Sequence, residues 1–416
     1  MQKAELTKQA FTGINVVSVT LDGCSTNVSM ARILGCDFNY ETLKTNIILE
    51  LSDNEKENIC LFLDPAHMIK LVRNTFGEKK IFQYKNDYIK FDFIETLFIL
   101  QEQEGCHLAN KLRKQHIFYF KQKMKVKLAT QLLSKSVADA LKFCKYKLNI
   151  DDFAGVDATV NFIELFNSAF DILNSRSINA VGEKKAMCKE NFQYIAEFTE
   201  MFTEYVKDLK VKEKNDFVPV LESNRKTGFI GILVCLNSLL QLHSKLIVTG
   251  VLEYFKDHLE LFFGSIRAQG GYNNNPTARQ FQSAYKKLVV RVNDVESFNT
   301  GNCIPLEHID ILHYSSSDPI KVINLNNLIL SESEILENNQ SVDSYINDHD
   351  YICKPNEYSI SNFTKEVTIY IAGFVVYKLA SVLRCEICIK SLCAIDKGMF
   401  LNSLITMKNR GGEKGL

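Results

Sequence analysis

The sequence predicts a mostly α-helical protein with a small α/β part. Two short runs of β-branched and apolar residues, at 14–21 and 59–63, are typical of buried strands. From residue 65 to about residue 250, apolar residues recur at three- and four-residue spacing with few turn signals, which is typical of helices. A further helix is predicted over 368–383. The strands therefore belong to a small N-terminal part beside a long helical region.

Each predicted strand ends at an acidic residue. The run 14–21 ends at Asp22, and a helix from about Asn27 to Leu34 is expected to follow it. The run 59–63 ends at Asp64, which is followed by a proline and so is placed to cap the next helix. Asp22 at a strand end could face a metal ion, or it could belong to an ordinary Asp-Gly turn. Asp64 could likewise ligate metal together with His67, or act as a cap.

Composition and charge limit the classes of function that the chain can have. The 416 residues carry 49 Lys+Arg and 49 Asp+Glu, so the formal net charge is zero. A self-sufficient DNA-binding protein usually has a basic excess, so DNA contact would require local patches. No secretory signal and no uncharged apolar run of membrane-spanning length is expected, the longest candidate being 228–243. The 12 scattered cysteines favour a reducing compartment and hence a soluble intracellular protein.

The segment 257–281, DHLELFFGSIRAQGGYNNNPTARQF, carries a candidate metal site. Asp257 and Glu260 are three residues apart and would project from one face of a helix. Two carboxylates in that arrangement can hold a divalent cation, although such a pair can also be a solvated helix face. The order of elements fits a nucleotidyl-transfer core, in which carboxylates from separate elements bind two metal ions. That order is a strand ending at an acid, a helix, a second strand ending at an acid, and a distant acidic helix.

These motifs resemble those of P-element-type DNA transposases, the group that includes the THAP-domain transposases. Segment 257–281 resembles the helix that bears the last catalytic carboxylate of an RNase H-like nuclease in that family, and Glu260 matches its glutamate. The segment VVSVTLDGCSTNVSMARILG resembles the region of the second catalytic aspartate, matched by Asp22, with Asn27 as local support. The resemblance implies Mg²⁺ ligands at Asp22, Glu260 and Asp257. It also makes Lys70 and Arg73 candidates for contact with DNA phosphates, or else part of a solvated helix face.

The resemblance extends to a helical insertion that binds GTP. No Walker A pattern is present, so the nucleotide is implied by the resemblance alone. Segments 110–141 and 170–177 are similar to parts of the family's insertion domain. The resemblance also implies that Asp257 links the nucleotide, through magnesium, to the catalytic face. The other implied GTP-site residues are Lys111, Lys125, Val126, Ser134, Phe170, Asp171 and Asn174. Without the resemblance, Phe170 would be assigned to the core and the lysines to the surface.

The expected architecture is a partial RNase H-like core interrupted by a large helical GTP-binding insertion domain. The core comprises 1–64 and the glutamate-bearing helix 251–300, and the insertion domain spans 65–250. A polar linker or loop, 301–350, and a C-terminal helical segment, 351–416, complete the chain. Near its end, Cys385 and Cys388 could form half of a zinc site or be buried cysteines.

The resemblance implies GTP-dependent, metal-dependent DNA cleavage and strand transfer in the nucleus. The expected partners are transposon-end DNA and GTP; no membrane partner is expected, and a homo-oligomer is left open. No strand bearing the family's first catalytic aspartate precedes Asp22 in this sequence, so an N-terminally truncated, inactive chain is expected. The alternative function is that of a catalytically inactive domesticated or decayed remnant that regulates through GTP or protein binding.

Overall fold

The computed structural model describes residues 16–52, 55–175, 180–213, 216–247, 266 and 277–290. It further describes residues 361–380, 382–383, 389, 392 and 403–408. The described residues are mostly helical, as the sequence predicted, and include two small sheets.

The first sheet places two strand ends at one edge. Strands β1 (Ser18–Leu21) and β3 (Glu55–Leu63) pair in parallel, and helix α1 (Ser25–Ile33) follows β1. Strand β2 (Asn46–Ser52) pairs antiparallel to β3 on its other side, giving the order β1-β3-β2. Because β1 and β3 run in the same direction, the residues that follow them lie at the same edge of the sheet.

Helix α2 (Pro65–Lys79) leads from this sheet into the long central region. The uniformly helical pattern expected there is wrong in one respect, because two hairpins form a second sheet. Its strands are β4 (Ile81–Tyr84), β5 (Asp87–Lys90), β6 (Leu209–Glu213) and β7 (Asp216–Pro219). All neighbours are antiparallel in the order β5-β4-β6-β7, so the pairing of β4 with β6 joins residues far apart in sequence. Strands of four or five residues leave too short a pattern for periodicity to detect.

The helices between the two hairpins form the bulk of the central region. The bounds of these helices are α3 (Asp92–Glu104), α4 (Lys114–Ile117), α5 (Val126–Leu132), α6 (Lys135–Tyr146), α7 (Asp157–Leu173) and α8 (Phe192–Asp208). The helical pattern of 126–144 forms two helices, with a break between α5 and α6. Ser134 there has an extended backbone and donates its hydroxyl to the carbonyl of Gln131, at 2.8 Å. A serine that satisfies the last turn of one helix ends it locally.

Helix α9 (Thr227–Leu242) returns the chain to the first sheet. The Ser238 hydroxyl donates to the carbonyl of Leu61 at 2.5 Å, and the Cys235 thiol donates to that of Leu63 at 2.7 Å. Among the described residues, Thr227–Leu246 is a helical stretch long and apolar enough to cross a membrane, contrary to the expectation that no run reaches that length. Most of it is buried against the protein, as in a core helix.

A row of phenylalanine rings joins the central helices to the second sheet. Phe82 of β4 lies 5.3 Å from Phe76 of α2 and 5.5 Å from Phe162 of α7, measured between ring centroids. Phe166 continues the row at 4.6 Å from Phe162, and Phe229 of α9 lies 5.7 Å from Phe166. All five rings are fully buried. Aromatic pairs in such offset and edge-on arrangements contribute beyond their buried area, so this row ties α2, α7 and α9 into one core.

Three helices are described beyond α9: α10 (Ala278–Val290), α11 (Asn362–Ala380) and α12 (Ser403–Lys408). The last two contact the central region. Ser361, just before α11, donates to the carboxylate of Glu104 in α3, and Thr364 donates to the same oxygen at 2.8 Å. Lys408 donates to the carbonyl of Leu108 at 2.5 Å. The expected linker 301–350 and the pair Cys385 and Cys388 lie outside the described residues.

Candidate catalytic edge and nucleotide site

The two acids that follow β1 and β3 meet at one edge of the first sheet. The backbone amide of Asp64 donates to the carbonyl of Leu21, at 2.8 Å, so the two strand ends are adjacent. Asp22 follows Leu21 directly. The parallel pairing therefore places Asp22 and Asp64 at the same edge, where the carboxyl ends of parallel strands commonly form sites.

Asp22 is held as an ionised carboxylate. Asn27, in the first turn of α1, donates its side-chain amide to Oδ1 of Asp22 at 2.6 Å, and the Cys24 amide donates to the same oxygen at 3.2 Å. Hydrogen bonds from the Cys24 thiol, from its amide and from Asn27 hold the pKa of Asp22 below its ordinary value, although desolvation opposes this shift. The predicted support from Asn27 is thus confirmed. An ionised oxygen donor of this kind suits Mg²⁺.

Asp64 acts as a helix cap. Its Oδ1 accepts the amide of Ala66 at 2.9 Å, and Pro65 occupies the first turn of α2. Burial and the charge of Lys70 lower the pKa of the neighbouring His67, although Asp64 and Asp22 oppose this shift. The imidazole is therefore neutral at pH 7 and lies within electrostatic reach of both carboxylates. Within the described ranges, no group of three or more His, Cys, Asp or Glu side chains is arranged to hold a metal ion.

The other two predicted metal ligands, Glu260 and Asp257, lie outside the described residues. Asp22 is thus the one predicted catalytic residue whose surroundings the structure describes. Its geometry is that of a single preorganised carboxylate, which fits one ligand of a magnesium site.

Lys70 and Arg73 do not form an exposed basic stripe. Their exposed fractions are 7% and 0%. The Arg73 guanidinium donates to the carbonyls of Gln122 and Lys123, at 3.4 and 3.3 Å, and lies 5.5 Å from the ring centroid of Tyr119. Both expectations for these side chains, DNA phosphate contact and a solvated face, are wrong, because both side chains are buried where α2 packs against neighbouring elements.

Three of the predicted nucleotide-site residues, Lys125, Val126 and Ser134, lie at the ends of α5, and a fourth, Lys111, precedes this helix in the chain. Lys111 and Lys125 are exposed, and Lys125 is the residue that precedes α5. Val126 is 3% exposed, so it could meet a ligand only through its backbone. Ser134 lies at the other end of α5, immediately before α6. Lys125 and Ser134 are therefore separated by the length of this helix, about 10 Å at the usual rise per residue.

The remaining three lie on the last turns of α7. Phe170 is 9% exposed, Asp171 is half-buried, and Asn174 ends the helix. Asn167, one turn before Asp171, donates to Oδ2 of Asp171 at 3.0 Å. Lys184 lies 4.0 Å from the same oxygen.

Asn167 joins the two halves of this predicted site. Its Oδ1 accepts the backbone amide of Lys135 at 3.3 Å, so the start of α6, beside Ser134, is linked to Asp171. The sequence reasoning missed Asn167 and Lys184. The four-residue spacing from Asn167 to Asp171 could have indicated Asn167, since residues four apart are neighbours on a helix. No local spacing links Lys184 to Asp171, because the fold alone brings these two residues together.

The chain matches three models of DNA-transposase domains. The model described as "TNP-like, GTP-binding insertion domain" matches residues 66–186. The "TNP-like, RNase H C-terminal domain" matches 256–286, and the "DNA transposase THAP9, C-terminal domain" matches 359–414. The first match contains the two halves of the predicted nucleotide site, and the second contains Asp257 and Glu260.

Individual relatives point the same way. The chain is 28% identical to human DNA transposase THAP9 over 425 residues, covering 96% of this chain and 44% of that protein. It is 29% identical to the Drosophila melanogaster Transposable element P transposase over 272 residues, covering 59% of this chain and 32% of that protein. The chain thus spans less than half the length of the curated relatives it matches.

The fold is likewise similar to a solved structure. The "Drosophila P element transposase strand transfer complex" is similar with a TM-score of 0.57 and 26% identity, covering 71% of this chain and 64% of that chain. The domain matches, the two relatives and the similar fold all come from DNA transposases. Together they support assignment of the chain to the P-element-type transposase family.

Proposed function

We propose, against the expectation of an inactive chain, that the chain retains GTP-dependent and metal-dependent cleavage and strand transfer of transposon-end DNA. The observation that carries this proposal is Asp22, an ionised carboxylate fixed by Asn27 at the carboxyl edge of two parallel strands. Mg²⁺ would be held by Asp22 with Glu260 and Asp257, and the ion would activate the attacking oxygen and stabilise the leaving one. Asn27 keeps one carboxylate oxygen fixed so that the other can face a ligand.

The nucleotide part of the proposal rests on the two linked groups of residues around α5, α6 and α7. Exposed Lys111 and Lys125 can neutralise phosphates, and Asp171 can accept hydrogen bonds from the guanine edge. Asn167 and Lys184 hold the Asp171 carboxylate in place. Phe170 and Asn174 follow on the same helical turns, and Ser134 lies at the linked start of α6. A location in the nucleus is part of the same proposal.

A plasmid-nicking assay tests the DNA activity. The full chain, supplied with MgCl2 and GTP, should convert supercoiled DNA to nicked circles, and Asp22→Asn should abolish this. Asp37→Asn is the matched control: Asp37 is another aspartate whose pKa is lowered, by hydrogen bonds from Thr42 and the Asn39 amide. Nicking that persists in Asp22→Asn would contradict the assignment of Asp22. Absence of nicking with retained GTP binding would favour the alternative function, a non-catalytic GTP-binding regulator.

A further inference from the structure

The segment Lys111–Lys127, here called the basic–aromatic surface, concentrates positive charge. It contains seven lysine and arginine residues and neither aspartate nor glutamate, in a chain whose net charge is zero. All seven are exposed: Lys111, Arg113, Lys114, Lys121, Lys123, Lys125 and Lys127. Such a concentration on one short segment creates a local positive potential that attracts polyanions.

These charges are not neutralised within the described part of the chain. None of the seven lies within 4.0 Å of a described carboxylate, whereas Lys142 and Lys145 of α6 are paired with Glu164 and Asp157. Desolvation and the charge of Glu78 raise the pKa of Tyr119, within this segment. Glu78 is itself bound by Arg225 through two oxygens at 2.7 and 2.6 Å.

Exposed aromatic rings lie among the cations. Phe118 and Phe120 are 41% and 54% exposed, and their ring centroids lie 6.0 Å apart. The ammonium of Lys114 lies 5.7 Å from the centroid of Phe118. Large apolar rings are normally buried, so two adjacent exposed rings beside unpaired cations are unusual. Rings provide faces for stacking, which phosphate binding alone does not require.

Hydrogen bonds to α2 and α5 fix the backbone of this segment. Arg73 and Asn74 of α2 donate to the carbonyl of Lys123, at 3.3 and 3.2 Å. The buried His116 ring bonds Gln131 of α5 at 3.1 Å and accepts the amide of Arg113 at 3.0 Å. The exposed side chains are therefore carried on a fixed backbone, which lowers the entropy lost on binding a partner.

We propose that the basic–aromatic surface binds single-stranded DNA. The cations outside the proposed nucleotide site, Arg113, Lys114, Lys121, Lys123 and Lys127, would contact the phosphates while Phe118 and Phe120 stack on unpaired bases. Proteins that bind single strands use this combination. Duplex DNA keeps its base faces covered, so it offers nothing to these rings. The choice of DNA rests on the proposed function, but the surface itself rests on the charges and rings described above.

Fluorescence anisotropy with a labelled thymidine oligonucleotide of about twenty nucleotides tests the proposal, since sites of this type cover about 4–16 nucleotides. The full chain is used without nucleotide or metal. Phe118→Ala/Phe120→Ala should weaken binding about fivefold or more, as expected for lost stacking. Lys121→Gln/Lys123→Gln should reduce the slope of log affinity against log salt by about 1.4. None of these four side chains belongs to the proposed nucleotide site.

Matched controls are available elsewhere on the chain. Lys142→Gln/Lys145→Gln removes two lysines that already have carboxylate partners, and Tyr88→Ala removes an exposed ring from the second sheet. Both should leave oligonucleotide affinity unchanged. Equal or tighter binding of a duplex, of oligouridine or of anionic lipid vesicles would overturn the proposal, as would undiminished binding by both test variants. Asp171→Ala, which alters the proposed GTP site, should bind the oligonucleotide normally. Failure of the proposed GTP site can therefore be distinguished from failure of the proposed DNA-binding surface.

Discussion

The guanidinium of Arg73 donates to the carbonyl oxygen of Lys123 at 3.3 Å, which ties α2 to the segment that enters α5. Helix α2 begins at Asp64 beside Asp22, and two and a half turns later it holds the backbone near Lys125. One rigid helix thus connects the candidate catalytic edge with the candidate nucleotide site.

Arg73→Met should destabilise the protein. The fully buried guanidinium donates hydrogen bonds to two carbonyls and to the side chain of Asn74. A hydrogen bond that involves a charged group contributes about 1.5–3 kcal/mol to stability. We expect the free energy of unfolding in urea to fall by about 2 kcal/mol. Ser238→Ala, which removes one buried bond to Leu61 from the first sheet, should cost less. A smaller loss for Arg73→Met than for Ser238→Ala would contradict the anchoring role.

Gly228→Ala, in the first turn of α9, should destabilise this helix, although alanine has a more favourable helix propensity than glycine. A Cβ at Gly228 would lie 3.0 Å from backbone atoms of Met68 and Val72, and one at Gly231 would lie 2.1 Å from the Met68 sulfur. Chemical denaturation of both variants, each with and without Met68→Ala, separates the two clashes. Met68→Ala should relieve Gly231→Ala only. Stabilisation by Gly228→Ala would show that α2 and α9 are not in close backbone contact.

Acid should destabilise the protein partly through His116. Burial lowers the pKa of His116 below its ordinary value, although hydrogen bonds with Gln131 and Arg113 partly oppose this. The unfolded chain therefore binds a proton more readily than the folded one once the pH falls below about 6.5. The stabilisation is complete above that pH and is lost as the pH falls toward the folded pKa.

Urea unfolding at pH 7.5 and pH 5.5 measures this effect. His116→Asn keeps an acceptor for the Arg113 amide and should show a smaller loss of stability between the two pH values. His67, His107 and His243, whose pKa values are also lowered by burial, account for the residual slope. An unchanged pH dependence in His116→Asn would contradict this assignment.

Glu104→Gln should loosen the C-terminal helix α11. The Glu104 carboxylate accepts the hydroxyls of Ser361 and Thr364 at the start of α11, and the change weakens both bonds. Amide hydrogen exchange in 362–380 should become faster, while exchange in α9 stays the same. Glu102→Gln, which alters an exposed carboxylate two residues away, is the control. Equal effects of both variants would exclude a specific docking contact.

Local sequence signals predicted the features that depend on neighbouring residues. The strand ending at Asp22, the support from Asn27 and the cap at Asp64 each arise within six residues, and the structure confirms them. The second sheet was not predicted, because β4 and β6 acquire their partners only through a distant pairing. Arg73 was taken for a surface residue because a cation on a helix is normally solvated. Its burial depends on carbonyls fifty positions away in the sequence.

Calorimetric titration of the folded chain with GTP in the presence of Mg²⁺ tests the central claim most directly. We predict saturable binding that is selective for GTP over ATP and at least tenfold weaker in Asp171→Ala. Asp157→Ala, at the opposite end of α7, removes a surface carboxylate paired with Lys145 and should bind GTP as the unaltered chain does. No binding of GTP, equal binding of ATP, or equal weakening by both variants would contradict the account.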